Sequence, residues 1–150
     1  MLAHIIIIEQ EEQIASLLME FKDYFPLLKN NQDLIRSIAQ KVCHNGCLLL
    51  SEVDGEHAGI AAFYANDYDT YKAFLSLLAV KDRFRRIGIG RALLESVQSI
   101  SLAAGMRELI LEVRCNNHQA VGFYKWLGFQ PVEITDHSTL RLRKKIVNVE

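Results

Sequence analysis

Ala79-Val80-Lys81-Asp82-Arg83-Phe84-Arg85-Arg86-Ile87-Gly88-Ile89-Gly90-Arg91-Ala92-Leu93-Leu94 is the stretch around which the rest of the chain is arranged. It reads as the end of an apolar strand, a basic loop with two closely spaced glycines, and the first turns of a helix. Glycines at 88 and 90 let the backbone turn tightly and approach a ligand with no Cβ in the way. The first N–H groups of the following helix have no intrahelical partner, and the helix dipole adds partial positive charge there. Such a junction is an anion site, and phosphates suit it. Lys81, Arg83, Arg85, Arg86 and Arg91 share this stretch with a single acid, Asp82. Charged loops are mostly solvated, but five cations beside a glycine-led helix start favour a cradle for a pyrophosphate-bearing cofactor.

The basic cluster is local. The 150 residues are 50% hydrophobic and 23% charged, with a formal net charge of −1. That is an ordinary globular profile, long enough for one well-cored domain over 1–150. A near-neutral total gives no reason to expect a nucleic-acid or membrane partner. The early apolar run Ile5–Ile8 is too short for a signal peptide. No stretch approaches the length of a membrane span. Three cysteines, an odd number, argue against a disulfide framework and favour a cytoplasmic location. Cys43, His44 and Cys47 have no second ligand pair, so they read as a helix–strand corner and no metal is expected.

Working outward, Ala3–Glu9 is a β-branched strand. Ile14, Leu17, Leu18 and Phe21 form one helix face. Pro26 interrupts, and a second helix carries Leu34, Ile35, Ile38, Ala39 and Val42 up to Gly46, read as a helix stop. Cys47–Val53, the turn Asp54-Gly55 and Glu56–Tyr64 predict a hairpin. Tyr71–Val80 is a third long strand, apolar enough to be buried on both faces. The glycine-led helix ends at Gly105, where a C′ glycine belongs. Arg107–Val113 then completes a strand–helix–strand crossover. Asn116 or Asn117 caps a short helix bearing Ala120, Val121, Phe123, Tyr124 and Leu127, and Phe129–Ile134 with Thr139–Val147 close the chain as a hairpin. The order β-α-α-β-β-β-α-β-α-β-β predicts an α/β fold: a mixed, mostly antiparallel sheet of about seven strands flanked by helices.

Two segments carry a family resemblance. Arg85-Arg86-Ile87-Gly88-Ile89-Gly90 is similar to the (Gln/Arg)-x-x-Gly-x-(Gly/Ala) signature of the GNAT superfamily of acyl-CoA-dependent N-acyltransferases. Asn117-His118-Gln119-Ala120-Val121-Gly122-Phe123-Tyr124-Lys125-Trp126-Leu127-Gly128-Phe129 resembles that family's second hallmark, Asn-x-x-Ala, then Tyr and a closing Gly-Phe. The two stand in the family's order, one helix and one strand apart. The match is close over 47–134. Upstream, where the family shapes its acceptor site, only the element order agrees.

The resemblance implies acetyl-CoA as acyl donor. Backbone groups of Leu78, Ala79 and Val80 would pair with the pantetheine arm. N–H groups from Arg85, Arg86, Ile87, Gly88, Ile89, Gly90 and Arg91 would hold the pyrophosphate. Asn117 would bond the cofactor near its pantetheine, and the Tyr124 hydroxyl would face the thioester sulfur. Dimerisation is common in the family, so a homodimer is among the expectations.

Acyl transfer to an amine requires a neutral amine, donors for a developing oxyanion and a proton for the departing thiolate. A phenol with a pKa of about 10 can supply that proton; Tyr124 would otherwise be a core aromatic with a polar tip. Relatives often place a basic carboxylate on the strand before the glycine loop, and here Ala73–Val80 carries none. Glu112, one strand on, is the nearest candidate for the base, although an alternating solvent-facing or hydrogen-bonded strand residue describes it better. Ser76 is a lone hydroxyl in an apolar strand. Asp67 and Asp69, beside Tyr64 and Tyr68, could attract a cationic amine, which tilts the acceptor toward a small molecule, with a peptide amine open. No cysteine matches an acyl-carrier position, so direct attack in a ternary complex is expected.

Three other readings are weaker. A dinucleotide site would need a glycine where Leu93 stands. A non-catalytic acyl-CoA sensor would not need Tyr124, though the missing strand acid favours it. An acceptor on charged tRNA would need a basic face that the acidic first seventy residues lack.

Overall fold

The computed structural model describes residues 2–146. It contains one seven-stranded sheet in the order β1-β2-β3-β4-β5-β7-β6. The elements are β1 (Ala3–Ile8), α1 (Glu11–Glu20), α2 (Gln32–Asn45), β2 (Cys47–Val53), β3 (Glu56–Tyr64), β4 (Lys72–Val80), α3 (Ile89–Ala103), β5 (Glu108–Arg114), α4 (His118–Trp126), β6 (Gln130–Thr135) and β7 (Thr139–Lys145), with 3-10 turns at Lys22–Tyr24 and Asp82–Phe84. This is the element order read from the sequence. The expected last strand ran to Val147, which lies outside the described residues.

Local chemistry explains most of the boundaries. Asp54 and Gly55 both have positive φ (50° and 81°), the geometry of the tight turn that suits the twist of β2 and β3. Asn31 caps α2 by accepting from the Leu34 N–H at 3.1 Å, and Gly105 ends α3 with φ 95°. Gly46 does not have the left-handed geometry of a C′ stop; its φ is −128°. It is glycine for room: a Cβ there would lie 2.8 Å from both the Phe63 carbonyl oxygen and the Tyr64 ring.

The sheet separates two cores. On one face Leu49, Phe63, Ala73, Leu75, Leu109 and Leu111 pack under α3, with Phe123 and Tyr124 of α4 joining them. On the other, Leu48, Leu50, Ile60 and Ala79 pack under Ile14, Leu17, Leu18 and Phe21 of α1 and Ile35, Ala39 and Val42 of α2. Gly59 fixes α3 on the sheet, since a Cβ there would lie 2.9 Å from the Ala79 carbonyl oxygen and 3.1 Å from Leu93.

One interruption positions everything that follows. Phe63 pairs with Leu75 and Ala62 with Leu77, so Ser76 is an extra residue bulged out of β4. The same bulge ends the partnership on the other edge. β4 and β5, the sheet's one parallel pair, match at Lys72–Glu108, Ala73–Leu109, Phe74–Ile110 and Leu75–Leu111 and no further. Beyond Ser76 the two strands part, while β5 stays paired to β7 along its whole length to Arg114.

Candidate functional site

The parting strands leave Ser76–Val80 paired to β3 on one side and to no strand on the other. Backbone donors and acceptors on such an edge take up an added extended chain if one is offered. Leu78 and Val80 pack toward the α3 face, and Leu77 and Ala79 toward the α1–α2 face.

The glycine loop closes the open end. Arg86 (φ 66°) and Gly88 (φ 86°) are both left-handed, so the loop coils back on itself before α3 begins. Among the described residues, no backbone acceptor meets the N–H groups of residues 86 to 91; the first helical bond runs from Ala92 to the Gly88 carbonyl. Six consecutive N–H groups at a helix start suit a di-anion such as a pyrophosphate. Gly88 is required by its φ. Gly90 allows close packing, since a Cβ there would come within 3.3 Å of the Phe123 ring, so this glycine lets α4 sit tightly against the start of α3.

The cations around the loop are mostly engaged. Lys81 binds Glu20 at 2.6 Å, Arg83 binds Glu56 at 2.8 Å, Arg85 meets Asp82 at 3.4 Å and Arg91 binds Glu95 at 3.0 Å. Arg85 also donates to the Val80 carbonyl at 3.3 Å. Burial raises the Glu20 pKa, but hydrogen bonds from Lys81 and His57, with their charge, outweigh it and leave the carboxyl below its usual range. The loop's attraction for an anion therefore rests on its backbone and on Arg86, which has no ion-pair partner among the described residues.

Asn117 is the N-cap of α4, accepting from the Ala120 N–H at 3.2 Å. Tyr124, two turns along, is half-buried, 5.5 Å from Phe123 and 5.7 Å from Phe129 between ring centroids. Burial alone pushes its phenol up to about 12, so it stays protonated throughout the neutral range.

Glu112 is the first β5 residue past the split. Leu109, Leu111 and Val113 pack into the α3–α4 core, so strand alternation turns Glu112 to the opposite face. There it meets Arg141 of β7 at 3.5 Å, and Arg141 reaches Glu133 of β6 at 3.6 Å. Glu112 and Tyr124 therefore lie on opposite faces of the sheet.

Asp67 and Asp69 are elsewhere. Their loop precedes β4 and touches the far end of α3, where Tyr68 lies 3.9 Å from where a Gly105 Cβ would be. Asp67 accepts from the Thr70 hydroxyl at 2.7 Å and from the N–H groups of Asp69 and Thr70 at 3.1 Å. Those bonds hold its carboxyl below the ordinary value. The open end is walled instead by the turn after α1, where the Tyr24 hydroxyl accepts from the Asp82 N–H at 3.1 Å. Its other wall is the β6–β7 turn, where the Ser138 carbonyl accepts from the Cys115 N–H at 2.8 Å. Tyr24 and Arg141 escaped the sequence reading because only tertiary folding brings them to the gap.

Similar proteins share the fold. An N-alpha-acetyltransferase of Sulfurisphaera tokodaii is 33% identical over 104 residues, covering 63% of this chain and 62% of that protein. The chain spans less than two thirds of the length of the curated relatives it matches. Among solved structures, the ribosomal-protein-S18-alanine N-acetyltransferase of Escherichia coli superposes with a TM-score of 0.77 at 23% identity, over 99% of this chain and 97% of that one. A GNAT-family protein of Desulfovibrio desulfuricans gives 0.82 at 17% identity, over 97% and 100%. These two share the fold. The model of the acetyltransferase (GNAT) family matches residues 11–129, and the chain belongs to that family.

Proposed function

We propose that residues 1–150 form a single N-acyltransferase domain that moves the acetyl group of acetyl-CoA to the α-amine of a protein or peptide N-terminus. The observation that carries this reading is the divided strand pair, in a sheet with a carboxylate on one face and a protonated phenol on the other. Direct attack uses that division: the open edge admits the thioester between the two strands, where an amine can add to its carbonyl carbon. Acetyl-CoA, when bound, supplies an activated acyl thioester. The free edge at Leu78–Val80 would hold its pantetheine arm, the N–H groups of 86 to 91 its pyrophosphate, and Asn117 the arm's polar groups.

Tyr124 donates to the departing sulfur. At about 12 the phenol is a weaker acid than a thiol near 8.5, so it gives up its proton only as the C–S bond breaks and regains one from solvent afterwards. Glu112, paired with Arg141 at 3.5 Å, accepts the proton that the amine gives up, directly or through water.

Amine chemistry supports the choice of acceptor. An α-amine with a pKa of about 8 is neutral in roughly one molecule in ten at pH 7, whereas a lysine near 10.4 is neutral in fewer than one in a thousand. A base already tied to an arginine suits the easier substrate. Two of the three proteins named above are, by their names, an N-alpha-acetyltransferase and a ribosomal-protein-S18-alanine N-acetyltransferase, and the acidic loop that favoured a small cation is not at the gap.

The test is thiol release from acetyl-CoA with peptides of varied first residue, the same peptides with blocked N-termini, and small polyamines. Acetylation of free N-termini alone supports the proposal. Turnover only with polyamines would restore the small-molecule acceptor. Binding without turnover of any amine would favour a sensor.

A further inference from the structure

The strap of residues 81–85, which carries the chain from β4 into the glycine loop, is held from outside by the end of α1. Asp82 opens the 3-10 turn Asp82–Phe84, and its N–H donates to the Tyr24 hydroxyl at 3.1 Å, across 58 residues of sequence. An N–H at the start of a helical turn has no partner within it, so the hydroxyl serves as its cap. The Lys81 ammonium donates to Glu20 at 2.6 Å and lies 5.2 Å from the Phe21 ring centroid. The Arg85 guanidinium lies 5.9 Å from the Tyr24 ring centroid. Glu20 is itself fixed to β3 through His57, at 2.9 Å. The two sides of this clasp belong to different cores. Phe84 of the strap is buried in the core under α3, whereas Phe21 is buried and Tyr24 half-buried in the core under α1 and α2. The clasp therefore ties the two cores together just beyond the last residue of β4.

We infer that Tyr24 is a positioning residue that couples the two substrate sites. Its hydroxyl sets the strap, and through the strap the N–H groups of 86 to 91. The strap in return holds the turn Lys22–Tyr24 against the open end, where that turn forms a wall. The ring packs on Arg85 without a fixed direction; the hydrogen bond is what fixes distance and angle. A ligand that orders the glycine loop therefore orders the turn as well, and by reciprocity an acceptor that orders the turn favours the donor. The inference rests on the acyl-CoA reading above and goes beyond it, since it assigns a role to a residue outside the glycine loop and the open strand edge.

Hydrogen exchange of the full chain, with and without CoA, reads this coupling whatever the acceptor. Binding of CoA should slow exchange at 86–91 and also at 22–28. Tyr24→Phe keeps the ring and loses only the hydroxyl. Calorimetry should show it binding CoA more weakly by about two- to tenfold, the worth of one hydrogen bond. At saturating CoA this variant should still protect 86–91 and no longer protect 22–28. A merely structural tyrosine would lower the melting temperature and leave the CoA-dependent protection of 22–28 intact. That result overturns the inference, as does an unsubstituted chain in which 22–28 exchanges alike with and without CoA. In both cases CoA has bound and the acyl-CoA reading stands. CoA that does not bind the unsubstituted chain overturns both.

Discussion

The two halves of β4 are one strand with two fates. Lys72–Leu75 is bonded on both edges, to β3 and to β5, and its Ala73 and Leu75 side chains are sealed in the core. Ser76–Val80 keeps only the β3 edge. Nothing in composition separates the halves, since both are apolar. One bulged serine does. It shifts the strand's alternation, so that Ala73 and Leu75 face the α3 core while Leu77 and Ala79 face the α1–α2 core. The closed half is stability. The open half is where ligand chemistry can happen.

That contrast can be broken by experiment. The largest effect belongs to the open half: Tyr124→Phe should lower kcat by about 10²–10⁴ while the protein melts normally. Full activity in that variant would remove the phenol from the mechanism. Next comes the closed half. Leu109, fully buried opposite Ala73, should cost about 2–5 kcal/mol of stability when cut to alanine, read from urea unfolding. Leu78→Ala, on the half-buried open edge, should instead raise KM for acetyl-CoA more than it lowers stability. If both leucines behave alike, the two halves are not functionally distinct.

Gly88→Ala places a side chain at φ 86° with free space around it, so backbone strain of about 1–2 kcal/mol is the whole expected cost. It should show mainly as weaker acetyl-CoA binding. A titration sharpens the role of Tyr124. Its pKa is about 12 when folded and near 10 when unfolded, so the folded state holds the proton more tightly. The associated stability is fully present below pH 10 and is lost as pH rises toward 12. Chemical denaturation across that window should show the decline in the native protein and a shallower one in Tyr124→Phe. Smallest of all, Asp67→Asn with Asp69→Asn should leave turnover within about twofold, because their loop sits at the closed end.

The sequence showed the glycine loop and the second hallmark because both are local. Gly88, Gly105 and the Asp54-Gly55 turn announce their geometry through residue type alone, and Asn117 through its position before an apolar helix. What stayed hidden depends on neighbours. Ser76 reads as any strand serine until the registers of β3 and β5 are known. Gly46 imitates a helix stop although its reason is the Tyr64 ring. Asp67 and Asp69 carry suitable charge, but which end of β4 they occupy depends on tertiary direction. Four of the five cations in the loop are paired with carboxylates from α1, β3, α3 and the loop itself, so counting positive charge overstated the free charge.

The placement of β7 has a consequence for the order of events at the ribosome. β5 is complete at residue 114, yet its second edge is covered only by residues 139–145, and β6 is made before the strand that sits between it and the sheet. A nascent chain that ends before Thr139 presents Glu108–Arg114 as an open edge, ready to pair with a neighbour. Closure of the sheet must therefore wait until synthesis has passed residue 145, and chains stalled short of that point should be the ones that aggregate.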